Sequence, residues 1–183
     1  MAELNYEGFI TGTGKFQPKR KNQWVMEFPT DTGIESIDIK TTGLPGGAFG
    51  ETVLDYINQK YYFAGKWEWE TIPITLWDYI GDSTSKKLYD WYLSNYNPAT
   101  GKQAYGSNVK KNINIVLLDP EGSELERWVL KGAWPQSFKW GELDYSDAEL
   151  RTLELVLRYD RPELEVSEVS DDARTESPRT KLK

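Results

Sequence analysis

Apolar and polar residues alternate along much of this chain with the period of two that is typical of β-strands. The most regular such run is Leu153–Tyr159, in which leucines and a tyrosine point one way and Glu154, Val156 and Arg158 point the other. The same reading predicts strands at Gln23–Phe28 and Glu35–Thr41. It also predicts a hairpin of Lys111–Leu118 and Leu125–Lys131, joined by the turn sequence Asp119-Pro120-Glu121-Gly122.

The segment Trp67–Trp77 alternates too, but its apolar phase slips. Trp67 and Trp69 fall on odd positions, whereas Ile72 and the apolar residues after it fall on even ones. A slip of one residue exchanges the two faces of a strand, and Pro73 lacks the N–H that a central ladder requires. The pattern therefore predicts one strand with a β-bulge near Glu70–Ile72.

Before that strand, a tyrosine-dense segment of unusual length follows a strong turn signal. The turn is Gly43-Leu44-Pro45-Gly46-Gly47, and the segment runs from Ala48 to Lys66 between glycines. It predicts an extended hairpin or a protruding loop.

One helix is predicted. Asp82 or Ser83 provides an N-cap, and Leu88, Trp91 and Tyr92 follow at helical spacing. The helix should end at about Asn95, because Asn97-Pro98 stops it. Many strands with hairpin connections and one helix predict a mainly β fold: an antiparallel β-sandwich or barrel with one packed α-helix.

Composition changes at both ends of the chain. Residues 1–22 form a polar, glycine-rich arm that closes on a basic cluster, which is more typical of a solvated arm than of a nucleic-acid contact. Residues 23–162 hold all of the predicted elements and form the β domain. Residues 163–183 have no aromatic side chain and mix charges with Ser and Thr, which predicts a mobile polar tail.

The residue inventory excludes several kinds of chemistry. The chain has no Cys and no His, so the usual zinc ligand sets and the Ser–His or Cys–His nucleophile pairs cannot be built. No metal or cofactor site is predicted. A net charge of −7, from 22 basic and 29 acidic residues, argues against a protein built to hold nucleic acid. No signal peptide and no apolar run of about 20 residues is found, which predicts a soluble protein without a membrane span.

Two candidate sites remain to be weighed. Glu68 and Glu70 share a face of the predicted strand and would suit a carboxylate-dependent hydrolase. Alternation of Trp with Glu is, however, also typical of a strand with one buried face and one solvent-exposed face. We therefore predict no catalytic residue.

The eight Trp could form the platform of a carbohydrate-binding β-sandwich, yet they are spread over most elements, which favours core and subunit contacts.

The order of features resembles a known family. Lys131-Gly132-Ala133-Trp134-Pro135 is followed by Gly141-Glu142-Leu143-Asp144-Tyr145 and then by the long alternating strand. With the Gly43–Gly46 turn and the tyrosine segment before them, these residues are similar to the tail tube proteins of contractile-tailed bacteriophages, which are related to the tube proteins of type VI secretion systems. The resemblance covers Phe16 to Arg161.

This resemblance implies a structural protein that assembles into rings of six, stacked as a hollow tube with strands lining the lumen. Its partners would be further copies of itself and the tail sheath, baseplate and tape-measure proteins. Genomic DNA would pass through the lumen during ejection without specific binding, and the protein would be made in the host cytoplasm and end up in the virion tail.

Carried over by position, the segment Leu44–Lys66 would lie between rings. The residues that we predict to make inter-ring or subunit contacts are Leu44, Pro45, Gly46, Phe49, Tyr56, Tyr61, Tyr62 and Lys66. Three alternatives stay open: a tube subunit of a related contractile injection or secretion system, a tube-initiator protein, and the carbohydrate-binding module.

Overall fold

The computed structural model describes residues 18–166, which form an antiparallel, mainly β fold with one long helix. Most of the predicted N-terminal arm and of the C-terminal tail therefore lies outside the described residues. The strands are β1 (Trp24–Glu27), β2 (Ile39–Thr42), β3 (Gly47–Tyr56), β4 (Gln59–Trp69), β5 (Ile72–Trp77), β6 (Tyr96–Asn97), β7 (Lys102–Gln103), β8 (Lys111–Leu118), β9 (Glu124–Lys139), β10 (Thr152–Arg158) and β11 (Arg161–Val166). The helices are α1 (Thr84–Asn95) and the single turn α2 (Gly106–Val109).

Seven of the strands described in residues 18–166 form one large sheet that turns a corner within β9, while β3–β4 and β6–β7 form separate two-stranded sheets. Its order is β1-β8-β9-β10-β5-β2, and β11 also pairs with β9. The first part of β9 pairs with β8 and β11, and its last part pairs with β10. Gly132 lies at the change of partner with a φ of 65°, and a Cβ there would collide with the Asp160 carboxylate. A strand that bends and changes partners in this way folds the sheet over itself, which is how a sandwich corner is made.

The core lies between the two halves of the folded sheet and under α1. Met26, Ile113, Ile115 and Leu130 come from one half, and the apolar faces of β5 and β10 come from the other. Leu153, Leu155 and Leu157 are fully buried, which confirms the face predicted for this strand. Leu88 and Trp91 of α1 complete the core.

The predicted helix is confirmed at both ends. Its N-cap is Ser83, whose Oγ accepts a hydrogen bond from the backbone N–H of Lys86 at 3.3 Å. The helix ends at Asn95, as the following Asn-Pro sequence predicts. The Lys111–Leu118 hairpin strand and its Asp119–Gly122 turn are confirmed as well.

The predicted strand at Glu35–Thr41 is wrong in its first half. Ser36–Asp38 forms a turn of 3-10 helix, and β2 begins only at Ile39. The buried Asp38 carboxylate accepts hydrogen bonds from the Glu35 N–H at 2.9 Å and from Lys87 Nζ at 3.0 Å. This local bonding competes with an extended backbone. Ile37 is consequently 69% exposed, while Ile39 is buried.

The predicted bulge near Glu70–Ile72 is a complete break between two strands. In the part of the chain that the structure describes, β4 pairs only with β3, whereas β5 pairs with β10 and β2 in the large sheet. The phase slip in the sequence therefore marks a change of sheet. Pro73 lies in β5 one residue beyond the last pair with β2, where its missing N–H costs no ladder bond to that strand.

The last predicted strand is followed by another one. β11 starts directly after Tyr159-Asp160 and pairs with β9 from Arg161↔Lys131 to Val166↔Glu126. The paired sheet thus extends past the predicted domain boundary at Pro162, through Val166.

An ion network ties β1 to β9 across β8, and it makes stability depend on pH. Hydrogen bonds from Asn114 and Arg127 hold the pKa of Glu27 below its ordinary value near 4.5, and Arg127 lowers the pKa of Glu124. Arg127 donates to both carboxylates at 2.8 Å. Because the folded pKa values are lowered, this stabilisation is complete above the unfolded value and is lost as the pH falls through the folded values.

We therefore expect the urea concentration at the midpoint of unfolding to decrease as the pH is lowered below about 5. Changing both Glu27 and Glu124 to Gln should make the urea midpoint depend less on pH in this acidic range. The reason is that a glutamine side chain does not titrate. An unchanged slope in the double variant would show that other carboxylates set the acid sensitivity.

Candidate interaction surface

The hairpin of β3 and β4, which we call the ribbon (Gly47–Trp69), stands apart from the large sheet. It forms its own two-stranded sheet, with pairs running from Gly47↔Trp69 to Tyr56↔Gln59. At about 3.3 Å per residue, the ten residues of β3 span about 30 Å. Every residue of β3 after Gly47 is exposed, so the predicted extended hairpin is confirmed as a protruding one.

Both faces of the ribbon carry apolar side chains into solvent. Directly paired residues of an antiparallel ribbon share a face. One face, which we call the apolar face, carries Leu54, Tyr56, Tyr61 and Phe63, all exposed. The other face pairs Val53 with Tyr62 and, next to them, Asp55 with Lys60. An isolated hairpin is only marginally stable in water, and contiguous exposed apolar surface marks interaction sites.

The base of the ribbon is fixed firmly to the sandwich. Glu70 N–H donates to the Gly46 carbonyl at 2.8 Å, and Arg158 donates to the Trp69 carbonyl at 2.7 Å. Tyr159 donates to the Gly46 carbonyl at 3.4 Å, and burial raises the pKa of its phenol. The bonds from Arg158 and Tyr159 come from β10 and the residue after it, so the ribbon leaves the sandwich at a defined angle.

Contacts between aromatic rings also hold the base of the ribbon against the sandwich. The ring centroids of Phe49 and Trp67 lie 4.6 Å apart, those of Trp67 and Trp69 5.1 Å, and those of Trp69 and Tyr159 6.2 Å. Just above them the strands come very close, since a Cβ on Gly65 would lie 2.9 Å from the Gly50 carbonyl oxygen. The base is thus held in place, and the exposed part of the ribbon beyond Gly50 and Gly65 remains available for contact with another molecule.

The tip of the ribbon holds an isoleucine in an unfavourable conformation. Within residues 18–166, Ile57 is the one non-glycine residue with a φ in the left-handed region, at 54°. A β-branched side chain is strained there, and a two-residue hairpin turn of this kind favours glycine at that position. Ile57 is also 85% exposed. A residue that is both strained and exposed points to a role outside the isolated subunit.

The structure places the eight predicted contact residues in three settings. Tyr56, Tyr61 and Tyr62 lie on the exposed part of the ribbon, with Tyr62 on the opposite face from the other two. Phe49 and Lys66 lie near the base. Leu44, Pro45 and Gly46 precede the ribbon, and Leu44 faces a groove beside β2.

Five large exposed apolar residues of the ribbon were missed by the sequence prediction: Val53, Leu54, Ile57, Phe63 and Trp67. The signal that would have found them is the two-residue connection at Ile57-Asn58. Once that turn is fixed, the register follows and assigns every side chain to a face.

A second aromatic cluster lies on α1 and the end of β9. The ring centroids of Tyr89 and Trp140, and those of Tyr92 and Phe138, lie 6.2 Å apart. Tyr92 also lies 6.0 Å from Tyr89 and from Tyr96. Phe138 and Trp140 are nearly parallel, at 8°, whereas the other pairs are tilted or edge-on. The rings do not share one plane, so they do not provide the flat platform on which a sugar ring stacks.

The carboxylate pair considered for hydrolysis is not built as a site. Glu68 is exposed on β4, and Glu70 lies outside the strand in the link to β5. Within residues 18–166, no group of three or more carboxylates is arranged to hold a metal ion. In the same part of the chain, neither helix is long and apolar enough to cross a membrane.

Comparison with known proteins relates this fold to tail tubes. Residues 58–163 match the family described as T4-like virus tail tube protein gp19. A protein of Serratia phage KSP90 described as a tail tube protein is 26% identical over 155 residues, covering 80% of this chain and 87% of the relative.

Two solved structures share the fold at low identity. A chain of the sheath–tube complex of the extracellular contractile injection system PVC has a TM-score of 0.65 and 17% identity, covering 86% of this chain and 97% of that one. A chain of the PVC sheath/tube terminator has a TM-score of 0.64 and 18% identity, covering 82% and 98%.

Proposed function

This chain belongs to the T4-like virus tail tube protein gp19 family, whose match spans more than half of its 183 residues, and from that premise we propose how it assembles. It is a structural tail tube protein and not an enzyme. We propose that six copies close into a ring and that rings stack into a hollow tube. The unit that assembles is the β domain, from residue 23 to the end of β11 at Val166.

The observation that carries this proposal is the ribbon. It projects about 30 Å from the sandwich, exposes apolar side chains on both faces, and is anchored only at its base. Contact with a second copy would bury this surface and stabilise a hairpin that is weak alone. We therefore assign the ribbon to contacts between stacked rings, together with the predicted residues Leu44, Pro45, Gly46, Phe49, Tyr56, Tyr61, Tyr62 and Lys66.

We further propose which proteins the tube of a contractile tail would contact and what would pass through its lumen. The outside of the tube would contact a sheath, and its ends a baseplate and a tape-measure protein. Genomic DNA would pass through the lumen unbound, since the net charge of −7 opposes contact with phosphates. Synthesis would take place in the host cytoplasm.

The assembly is tested by negative-stain microscopy of the purified full chain over a range of concentrations. We expect rings and stacked tubes. A particle that stays monomeric at millimolar concentration, measured in parallel by light scattering, would contradict the proposal.

The strained tip gives a sharper prediction for a single residue. Ile57→Gly relieves the left-handed strain, worth about 1–2 kcal/mol, so the dispersed subunit should be no less stable. If Ile57 is buried between rings, losing it should raise the concentration needed for tube formation about tenfold, as expected for one buried aliphatic side chain.

A matched control is Ile80→Gly, which removes an isoleucine that is fully exposed in the link between β5 and α1. This variant should assemble like the parent chain. If light scattering shows that the Ile57 variant and the parent chain assemble at the same concentration, Ile57 does not contribute to the contact between rings.

A further inference from the structure

A groove separates β1 and β2, the two end strands of the large sheet. It has a volume of about 520 Å³ and an apolar floor made by Trp24, Leu44, Ile115 and Leu117. Its rim carries four basic side chains and no acidic one: Lys19, Arg20, Lys21 and Lys40. In a chain with a net charge of −7, this is a local excess of positive charge over an apolar surface.

The rim cations are only partly engaged within the described chain. Lys19 pairs with Glu126, and Lys40 Nζ lies 4.4 Å from the ring centroid of Trp77. Neither Arg20 nor Lys21 forms an ion pair with a carboxylate of residues 18–166. The groove is therefore suited to an extended, acidic segment with some apolar character.

The described chain ends close to this groove. Val166 pairs with Glu126 of β9, which pairs with Leu117 of β8, which pairs with Trp24 of β1. Three strand spacings of about 4.8 Å place Val166 about 14 Å from the groove floor at Trp24. Lys19 bonds to the same Glu126, so the basic rim reaches the strand next to the end of β11.

The sequence that follows Val166 has the matching chemistry. Residues 167–172 read Ser-Glu-Val-Ser-Asp-Asp, with three carboxylates, one valine and no basic residue. Six extended residues span about 20 Å, which is enough to reach the groove from Val166. A tethered segment is also present at millimolar effective concentration, which favours it over a free polyanion.

We propose that Ser167–Asp172 binds in the groove between β1 and β2 of its own subunit. Glu168, Asp171 and Asp172 pair with the rim cations, and Val169 contacts the apolar floor. Within residues 18–166 the walls of the groove are the two end strands of the large sheet, so the bound segment also covers edges on which another chain would otherwise add.

The test is carbodiimide cross-linking of the dispersed full chain, followed by mass spectrometry. We expect zero-length links between rim lysines and the acidic segment: Lys19, Lys21 or Lys40 to Glu168, Asp171 or Asp172. They should be lost near 1 M salt, where the screening length falls to about 3 Å. They should also be lost when Glu168→Gln, Asp171→Asn and Asp172→Asn are combined.

A matched control removes three charges from the exposed β9–β10 connection, by Glu142→Gln, Asp144→Asn and Asp147→Asn. It should leave the amide NMR signals of Gln23 and Thr42 at the groove unchanged, while neutralising the acidic segment should shift them. Absence of the links at low salt would overturn the proposal. So would links that join labelled to unlabelled chains in an isotope-mixed sample, because they would place the segment on a neighbouring subunit.

Discussion

Leu155→Ala is expected to lower the free energy of unfolding by about 2–5 kcal/mol, the range measured when a fully buried leucine is truncated. Leu155 is fully buried at the centre of β10, where it pairs with Ile74 on one side and Phe138 on the other. Strands of the large sheet and α1 enclose it, so the surroundings cannot readily collapse into the space left behind. Urea unfolding of the dispersed protein measures the loss.

Val156→Ala is the matched control, since it removes methyl groups from the adjacent residue on the opposite face. Val156 is only partly buried, and its truncation should cost less than about 1.5 kcal/mol. Similar losses for both variants would mean that the two faces of β10 are not separated into core and surface as described.

Replacing the apolar face of the ribbon with threonine is expected to abolish tube formation. The change removes Leu54, Tyr56, Tyr61 and Phe63 together, each of which would contribute about 1.5–3 kcal/mol if fully buried between copies. The variant should remain folded, because the ribbon forms a sheet of its own and threonine suits strands. Microscopy measures tube formation, and thermal unfolding confirms that the sandwich is intact.

The control for this variant changes to threonine four apolar residues elsewhere that are more exposed than those of the ribbon: Tyr105, Leu143, Tyr145 and Leu150. They lie in the connections that follow β7 and β9, away from the ribbon. We expect tubes from the control and none from the ribbon variant. Tubes from both would show that the apolar face does not hold rings together.

Most of the fold follows from local patterns. The burial of Leu153, Leu155 and Leu157 and the cap and end of α1 depend on short-range periodicity and stop signals, which the sequence shows directly. What it does not show is where a strand changes partners. The phase slip after Trp69 was visible, but a bulge and a change of sheet leave the same local signature.

The other differences arise from contacts distant in sequence. Ser36–Asp38 turns because Asp38 accepts a local hydrogen bond from the Glu35 N–H and a distant one from Lys87 on α1. Arg161–Val166 becomes a strand because it pairs with β9. In the ribbon, tyrosine content and flanking glycines predicted the protruding hairpin, which the structure confirms. They did not assign its faces, because that assignment depends on the register set by the turn at Ile57.

The most direct test of the central claim, that the ribbon joins copies of this tail tube protein, is a cryo-electron microscopy reconstruction of the assembled protein. We predict hollow tubes of stacked rings in which Leu54, Tyr56, Tyr61 and Phe63 are buried against the next ring and Ile57 contacts a neighbouring subunit. A tube in which the ribbon projects into solvent with these side chains exposed would contradict the account.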